Sequence, residues 1–211
     1  RMARQGFIGI ALCNSPESVA AAPGGDPVFG TNPLAVGVPQ AGDAAPFTFD
    51  MATSAIALFG VLSAKAKGEA LPEGVAFGKN GEMTTNAAEV LEGGAIATFG
   101  GHKGAGLSLV VELLAGALSG GAVLGQVESK KVAKSWGHTM IAIRPQALTD
   151  DYENKVTSVL QTVKASGSDV RIPGERSAKT ATERKLAGAM PIPIKIWESI
   201  VKTSKEGLPE E

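Results

Sequence analysis

The chain has 211 residues, 44% of them hydrophobic and 19% charged, enough for one large domain or two small ones. A formal net charge of −1 gives no basic surface for nucleic acid, and the longest apolar run, Leu107–Leu118, contains Glu112 and is too short to span a bilayer. We therefore expect neither nucleic-acid nor membrane partners. The single cysteine, Cys13, excludes an intrachain disulfide and fits a reducing compartment, so a cytoplasmic location is the expectation. The chain opens on Arg1 and enters the apolar run "GFIGIAL" almost at once, which suggests an N-terminally incomplete sequence.

In chain order, "GFIGIALCN" (6–14) is short and apolar and reads as a buried strand. Pro, Gly, Asp and Asn punctuate 16–33, a long loop of the kind that is usually functional. "LAVGVP" is a short strand, and "PFTFDMATS" alternates Phe47, Phe49 and Met51 against Thr48 and Asp50, which is strand periodicity. Residues 55–68 form a helix ending at Gly68. A Lys-Asn-Gly turn predicts a hairpin within 71–86. Residues 104–118 form a helix apolar nearly all round, hence a central core helix.

"HTMIAIRP" is a strand. The helix that follows carries Tyr152, Val156, Leu160 and Val163 on one face, with Asp150 as cap, Glu153 completing a capping box and Gly167 as stop. "VRIP" is a strand, "GER" a turn, "SAKTATERKLAGA" a short helix, and "PIPIKIWESIVKTSKE" a terminal helix. Strands and helices mix throughout, so one compact α/β-type domain is the base reading.

The segment "GGHKGAGLSLVVELLAG" joins a glycine turn to a helix start. Such a turn aims unpaired N–H groups and the positive helix end outward, and Lys103 adds a full charge, so the place suits a phosphate or carboxylate or is simply a tight turn. Neither standard nucleotide fingerprint is present. His102 offers a residue type suited to general acid or base work but stands equally well as an exposed turn residue or a donor to backbone, and His138 precedes a strand. Two distant histidines and one cysteine make no metal-ligand pattern. Glu112 interrupts the apolar helix; a buried carboxylate must be paired or hydrogen-bonded, and a structural role is the reading. Asp50 stands where a strand gives way to a helix, able to accept from a ribose hydroxyl or to cap. Arg176 in "PGER" can grip a phosphate or form a surface ion pair. Thr31 and Asn32 of "GTNP" offer donors in a constrained loop, or bond their own turn.

Taken together, "NS", "GG", "FGTNP", "FTFDMATS", "GGHKGAGLSLVVELLAGALSG" and "IPGE" resemble the malate/L-lactate dehydrogenase family of the second type, over about residues 6–202. That family also includes ureidoglycolate, sulfolactate and piperideine/pyrroline-2-carboxylate enzymes. The resemblance implies a non-Rossmann fold, a mixed, largely antiparallel sheet flanked by helices. It implies hydride transfer between NAD or NADP and a 2-hydroxy/2-keto acid such as malate or lactate, or alternatively a cyclic imino acid, by a homodimer. Carried over by motif, Ser15, Asp50, Met51, Ala52, Lys103, Gly174, Glu175 and Arg176 would contact the cofactor. Thr31 and Asn32 would lie near the nicotinamide and substrate.

In the family the acid/base His sits in a His-Phe-Gly-like motif, expected upstream of Arg1, with a substrate-gripping Arg further upstream. Residues 1–204 would then be the NAD(P)-binding domain with the C-terminal part of the enzyme, and 205–211 a tail. No catalytic residue is assigned within the chain. The competing reading is an inactive nucleotide-binding or regulatory protein.

Overall fold

The apolar stretch at the start of the chain becomes the centre of a sheet. In the computed structural model, which describes residues 1–127 and 135–207, the strands are β1 (Ile8–Cys13), β2 (Val19–Ala20), β3 (Pro27–Phe29), β4 (Leu34–Val38), β5 (Phe47–Met51), β6 (Ala76–Phe77), β7 (Ala95–Ile96) and β8 (His138–Ile143). They form two four-stranded sheets. The first, ordered β5-β4-β1-β8, is antiparallel at every pairing, with Leu12 opposite Leu34, Leu34 opposite Met51, and Cys13 opposite His138. The second, ordered β3-β2-β7-β6, is mixed: β2 runs parallel to β7 and the other pairs are antiparallel. The expected single mixed sheet is thus divided in two, largely antiparallel as anticipated.

The helices are α1 (Leu58–Lys67), α2 (Ala87–Leu91), α3 (His102–Val111), α4 (Tyr152–Ala165), α5 (Glu175–Ala187) and α6 (Ile194–Glu206). Helix α1 ends at Gly68 in the left-handed region, as its sequence implies, but starts three residues later than expected. Ser54 and Ala55 are engaged instead with the segment after β7: Ser54 bridges Thr98, and the Ala55 N–H donates to the Ala97 carbonyl. Val61 and Ala64 of α1 meet Val90 of α2 and Val19, Phe29 and Ile96 of the second sheet in the main core. Leu12, Val111 and Ala115 form a second core beneath the first sheet.

Several expectations are revised. The 16–33 loop contains β2 and β3, paired Val19 to Phe29; β3 is an edge strand, where Pro27 is tolerated. The 71–86 hairpin is short, with one bridge from Phe77 to Met83 on one edge of β6, while the other edge of β6 pairs with β7. "VRIP" is irregular, and α5 begins at Glu175, so Glu175 and Arg176 lie in a helical first turn. The cap of α4 is Asp151, with φ 57°, and makes no side-chain cap bond. Glu153 is turned away to Gln146, so the capping box at Asp150 does not form.

The 104–118 helix departs most. It is α-helical to Val111 and then a π-helix over Glu112–Ala117. It is not buried all round: Leu109, Val110, Leu113 and Leu118 are exposed, while the polar Ser108 and Glu112 are buried. No helix among the described residues is long and apolar enough to cross a membrane.

Candidate functional site

The candidate motifs are brought together by backbone, and Thr53 is where they meet. The Thr53 N–H donates to the Thr31 carbonyl at 2.9 Å. Its hydroxyl reaches the carbonyls of Thr31 and Asn32 at 3.2 and 3.1 Å, and accepts from the Ser108 hydroxyl at 2.8 Å. Its own carbonyl accepts from the Phe99 N–H at 3.1 Å. "GTNP", "DMATS" and "FGGHKG" are therefore fastened to one buried residue. Sequence reasoning passed over Thr53 and Ser108. Their signal was a polar pair, Ser108 and Glu112, four residues apart on an otherwise apolar helix.

Ser15 is set by a close approach. Its hydroxyl accepts the Thr31 N–H at 3.1 Å, and a Cβ on Gly30 would lie 2.2 Å from the Ser15 carbonyl oxygen, so the two segments meet only through glycine. Ser15 and Thr31 line a cavity of about 940 Å³, whose apolar wall includes Phe59, Leu62 and Val90. Two polar atoms of cavity-lining residues, Ser18 Oγ and Trp136 Nε1, are buried without a hydrogen-bond partner among the described residues. Orphaned groups of this kind fit a ligand or water that completes them.

Asp50, Met51 and Ala52 leave the end of β5, with Asp50 exposed and opposite Ala35. Asp50 does not cap the next helix, whose N-cap is Ala57. Gly174 lies against the same strand: its φ is +92°, and a Cβ there would stand 2.3 Å from Thr48 Oγ1. Thr48 and Asp50 share a face of β5, so "PGER" is delivered beside "DMA".

Glu175 braces that turn. Its carboxylate accepts from Lys164 Nζ at 2.6 Å and from the Ile172 N–H at 3.2 Å. The Lys164 hydrogen bond first, and then the Ile172 N–H, hold its carboxyl below the usual range. Gly174 and Glu175 line a second, smaller cavity of about 350 Å³.

Lys103 and Arg176 are exposed in the first turns of α3 and α5. The helix dipole disfavours a cation there unless an anion is also present. None of the ion pairs among the described residues involves Lys103, Arg176 or Asp50. Two unpaired cations at helix starts and an unpaired carboxylate on a strand end fit the phosphates and ribose of a nucleotide.

His102 opens α3 and is exposed. His138 Nε2 stands 3.3 Å from Cys13 Sγ, and its Nδ1 3.2 Å from the Trp136 carbonyl. Burial, and then the charge of Glu112, push the Cys13 thiol up. Asn32, with φ 38°, is fully buried, its amide turned to Ser108 and Glu112 rather than to the cavity.

Residues 1–201 match the family described as malate/L-lactate dehydrogenase. A malate/(S)-sulfolactate dehydrogenase of Methanothermus fervidus is 36% identical over 206 residues, 95% of this chain and 58% of that protein. A Δ1-pyrroline-2-carboxylate/Δ1-piperideine-2-carboxylate reductase of Pseudomonas putida is 38% identical over 190 residues, 88% of this chain and 54% of its own length. The structure of a sulfolactate dehydrogenase from Methanocaldococcus jannaschii superposes with a TM-score of 0.83 at 32% identity, covering 97% of this chain and 60% of that one. The chain therefore spans somewhat over half the length of the curated relatives it matches. Together with the mixed α/β fold, the match over residues 1–201 establishes that this chain belongs to the malate/L-lactate dehydrogenase family.

Proposed function

We propose that this chain is the nicotinamide-nucleotide-binding part of an oxidoreductase that moves a hydride between NAD or NADP and a 2-hydroxy/2-keto acid. The observation that carries the reading is the attachment of three motif segments to Thr53, beside a cavity lined by Ser15 and Thr31. When bound, the nicotinamide supplies or receives the hydride.

The protein's own groups bind and orient. Lys103 and Arg176 neutralise phosphate charge, and the backbone N–H groups at the start of α3 add donors. Asp50 accepts from a ribose hydroxyl, while Met51 and Ala52 carry the strand end along the nucleotide. Gly174 allows the turn to reach β5, and Glu175 fixes that turn through Lys164. Ser15 and Thr31 meet the ring end. Phe59, Leu62 and Val90 offer it an apolar wall. Asn32 supports Thr31 from behind.

The proton donor and the substrate-gripping cation are not assigned to residues of this chain. A second substrate class, cyclic imino acids, is favoured by the Pseudomonas putida reductase, 38% identical over 190 residues. The exposed Ile196, Trp197 and Ile200 of α6 support assembly as a homodimer.

Fluorescence titration with NADH and NADPH tests the cofactor reading, and a panel of malate, lactate, sulfolactate and cyclic imino acids tests the substrate. Binding of a reduced cofactor is expected. A folded full-length protein that binds neither nucleotide refutes the proposal.

A further inference from the structure

Asn14 and Asn32 alternate with residues that line the larger cavity: Cys13 and Ser15 flank the first, Thr31 and Pro33 the second. The two asparagine side chains lie behind that wall, fully buried, and meet Glu112, which is 3% exposed. Asn14 Nδ2 donates to Oε2 of Glu112 at 3.1 Å, and Asn32 Nδ2 donates to Oε1 at 2.9 Å.

Neither amide can be turned round. Asn14 Oδ1 accepts the Gly137 N–H at 2.7 Å, and its Nδ2 also donates to the Ala122 carbonyl at 2.8 Å. Asn32 Nδ2 also donates to the Ser108 carbonyl at 3.2 Å. Residue 112 is thus faced by two N–H groups and must accept with both oxygens. An ionised carboxylate does so with lone pairs alone; an amide would set its NH2 against one of the two donors, and a protonated acid would have to turn its O–H away from both.

A buried charge is ordinarily matched by one of opposite sign. None of the ion pairs among the described residues involves Glu112. The backbone is also specialised here, since the π-helix begins at Glu112, and π segments recur at functional sites. The charge is felt in the cavity wall, where it adds to burial in raising the Cys13 thiol.

We infer that Glu112 is a positioning residue that, through Asn14 and Asn32, keeps a fixed negative charge behind the cavity wall and so favours the cationic, oxidised nicotinamide over the neutral, reduced ring. The inference rests on the cavity taking a nicotinamide, as proposed above.

The test compares dissociation constants for the oxidised and reduced cofactor, NAD+ and NADH or, where the protein prefers them, NADP+ and NADPH, in the full-length protein, Glu112→Gln, and the double variant Asn14→Asp with Glu112→Gln. Unit charges on the order of 10 Å apart, at an effective dielectric near ~20, shift a binding ratio roughly tenfold. Glu112→Gln should raise Kd(NAD+)/Kd(NADH) by that factor. The double variant returns a carboxylate to the same cluster and supplies an acceptor for the new amide, but sets one oxygen against the Ala122 carbonyl, so its fold is checked first by circular dichroism; it should bring the ratio back to that of the wild type.

Glu112→Gln that folds, by circular dichroism, and weakens both nucleotides equally has lost only structure, and overturns the inference. So does a double variant whose ratio does not return. Where Glu112→Gln does not fold, the charge-retaining double variant must still match the wild-type ratio, and a changed ratio refutes the proposal. A wild-type protein that binds neither NAD+ and NADH nor NADP+ and NADPH overturns the functional reading as well; one that binds either pair, with a ratio indifferent to these changes, overturns this inference alone.

Discussion

The Ser108 hydroxyl donates to Thr53 Oγ1 at 2.8 Å, joining the middle of α3 to the segment that leaves β5. Thr53 passes the connection on to the carbonyls of Thr31 and Asn32. Thr53→Val keeps the shape but leaves the Ser108 hydroxyl without this acceptor and removes the donor to the loop. Leaving a buried polar group unsatisfied costs about 1–3 kcal/mol. Urea denaturation should show a loss of that size, accompanied by weaker NADH binding. An unchanged midpoint would remove Thr53 from its central place.

Lys103 and Arg176 make no ion pairs among the described residues, so their removal should affect binding rather than folding. A hydrogen bond to a charged group contributes about 1.5–3 kcal/mol, so Lys103→Ala or Arg176→Ala should weaken NADH binding by roughly tenfold or more. Thermal melting should stay near wild type. The binding loss should shrink at high salt, where charge attraction is screened. Unchanged affinity would remove the mutated cation from the site.

Gly30 admits no side chain. A Cβ there would lie 2.2 Å from the Ser15 carbonyl oxygen and 2.3 Å from its hydroxyl oxygen, and backbone cannot yield as a flexible side chain would. Gly30→Ala should destabilise the fold by about 1–3 kcal/mol. Denaturant titration measures this directly. A variant of wild-type stability would mean that the approach of the two segments is looser than described.

Glu175 has its carboxyl lowered, by Lys164 first and by the Ile172 N–H second. A group lowered on folding contributes stability that is present above its unfolded value and lost as pH falls through the folded one. The turn at Gly174 should therefore be braced at neutral pH and released in acid, below the ordinary carboxylate range. Carbon-detected NMR titration of Glu175 should show the depressed midpoint, moving upward in Lys164→Met. A midpoint indifferent to Lys164 would contradict the assigned cause.

Local signals carried much of the fold. Alternation in "PFTFDM" predicts β5, and Gly68 marks the end of α1, because both follow from the chain's own periodicity and caps. Longer-range choices were hidden. The turn at Gly78–Gly81 forms, but no local pattern shows that the other edge of β6 takes β7 as its partner. The helix over 104–118 reads as apolar nearly all round, yet its buried face carries Ser108 and Glu112 while Leu109, Val110, Leu113 and Leu118 are exposed. Their partners Asn14, Asn32 and Thr53 lie 55 to 98 residues away in sequence.

The site divides in the same way. "DMA" and "PGER" are legible as separate motifs, but only the closeness of Gly174 to Thr48 places them on one strand face. Glu112 is readable as a structural carboxylate. That two buried amides donate to both of its oxygens is visible only in the hydrogen bonds of the folded chain.

Titration of the full-length protein with NADH and NADPH tests the central claim most directly. Saturable enhancement of nicotinamide fluorescence, weakened by Lys103→Ala and by Thr53→Val, is the predicted result. A folded protein that leaves the fluorescence of both nucleotides unchanged would contradict it.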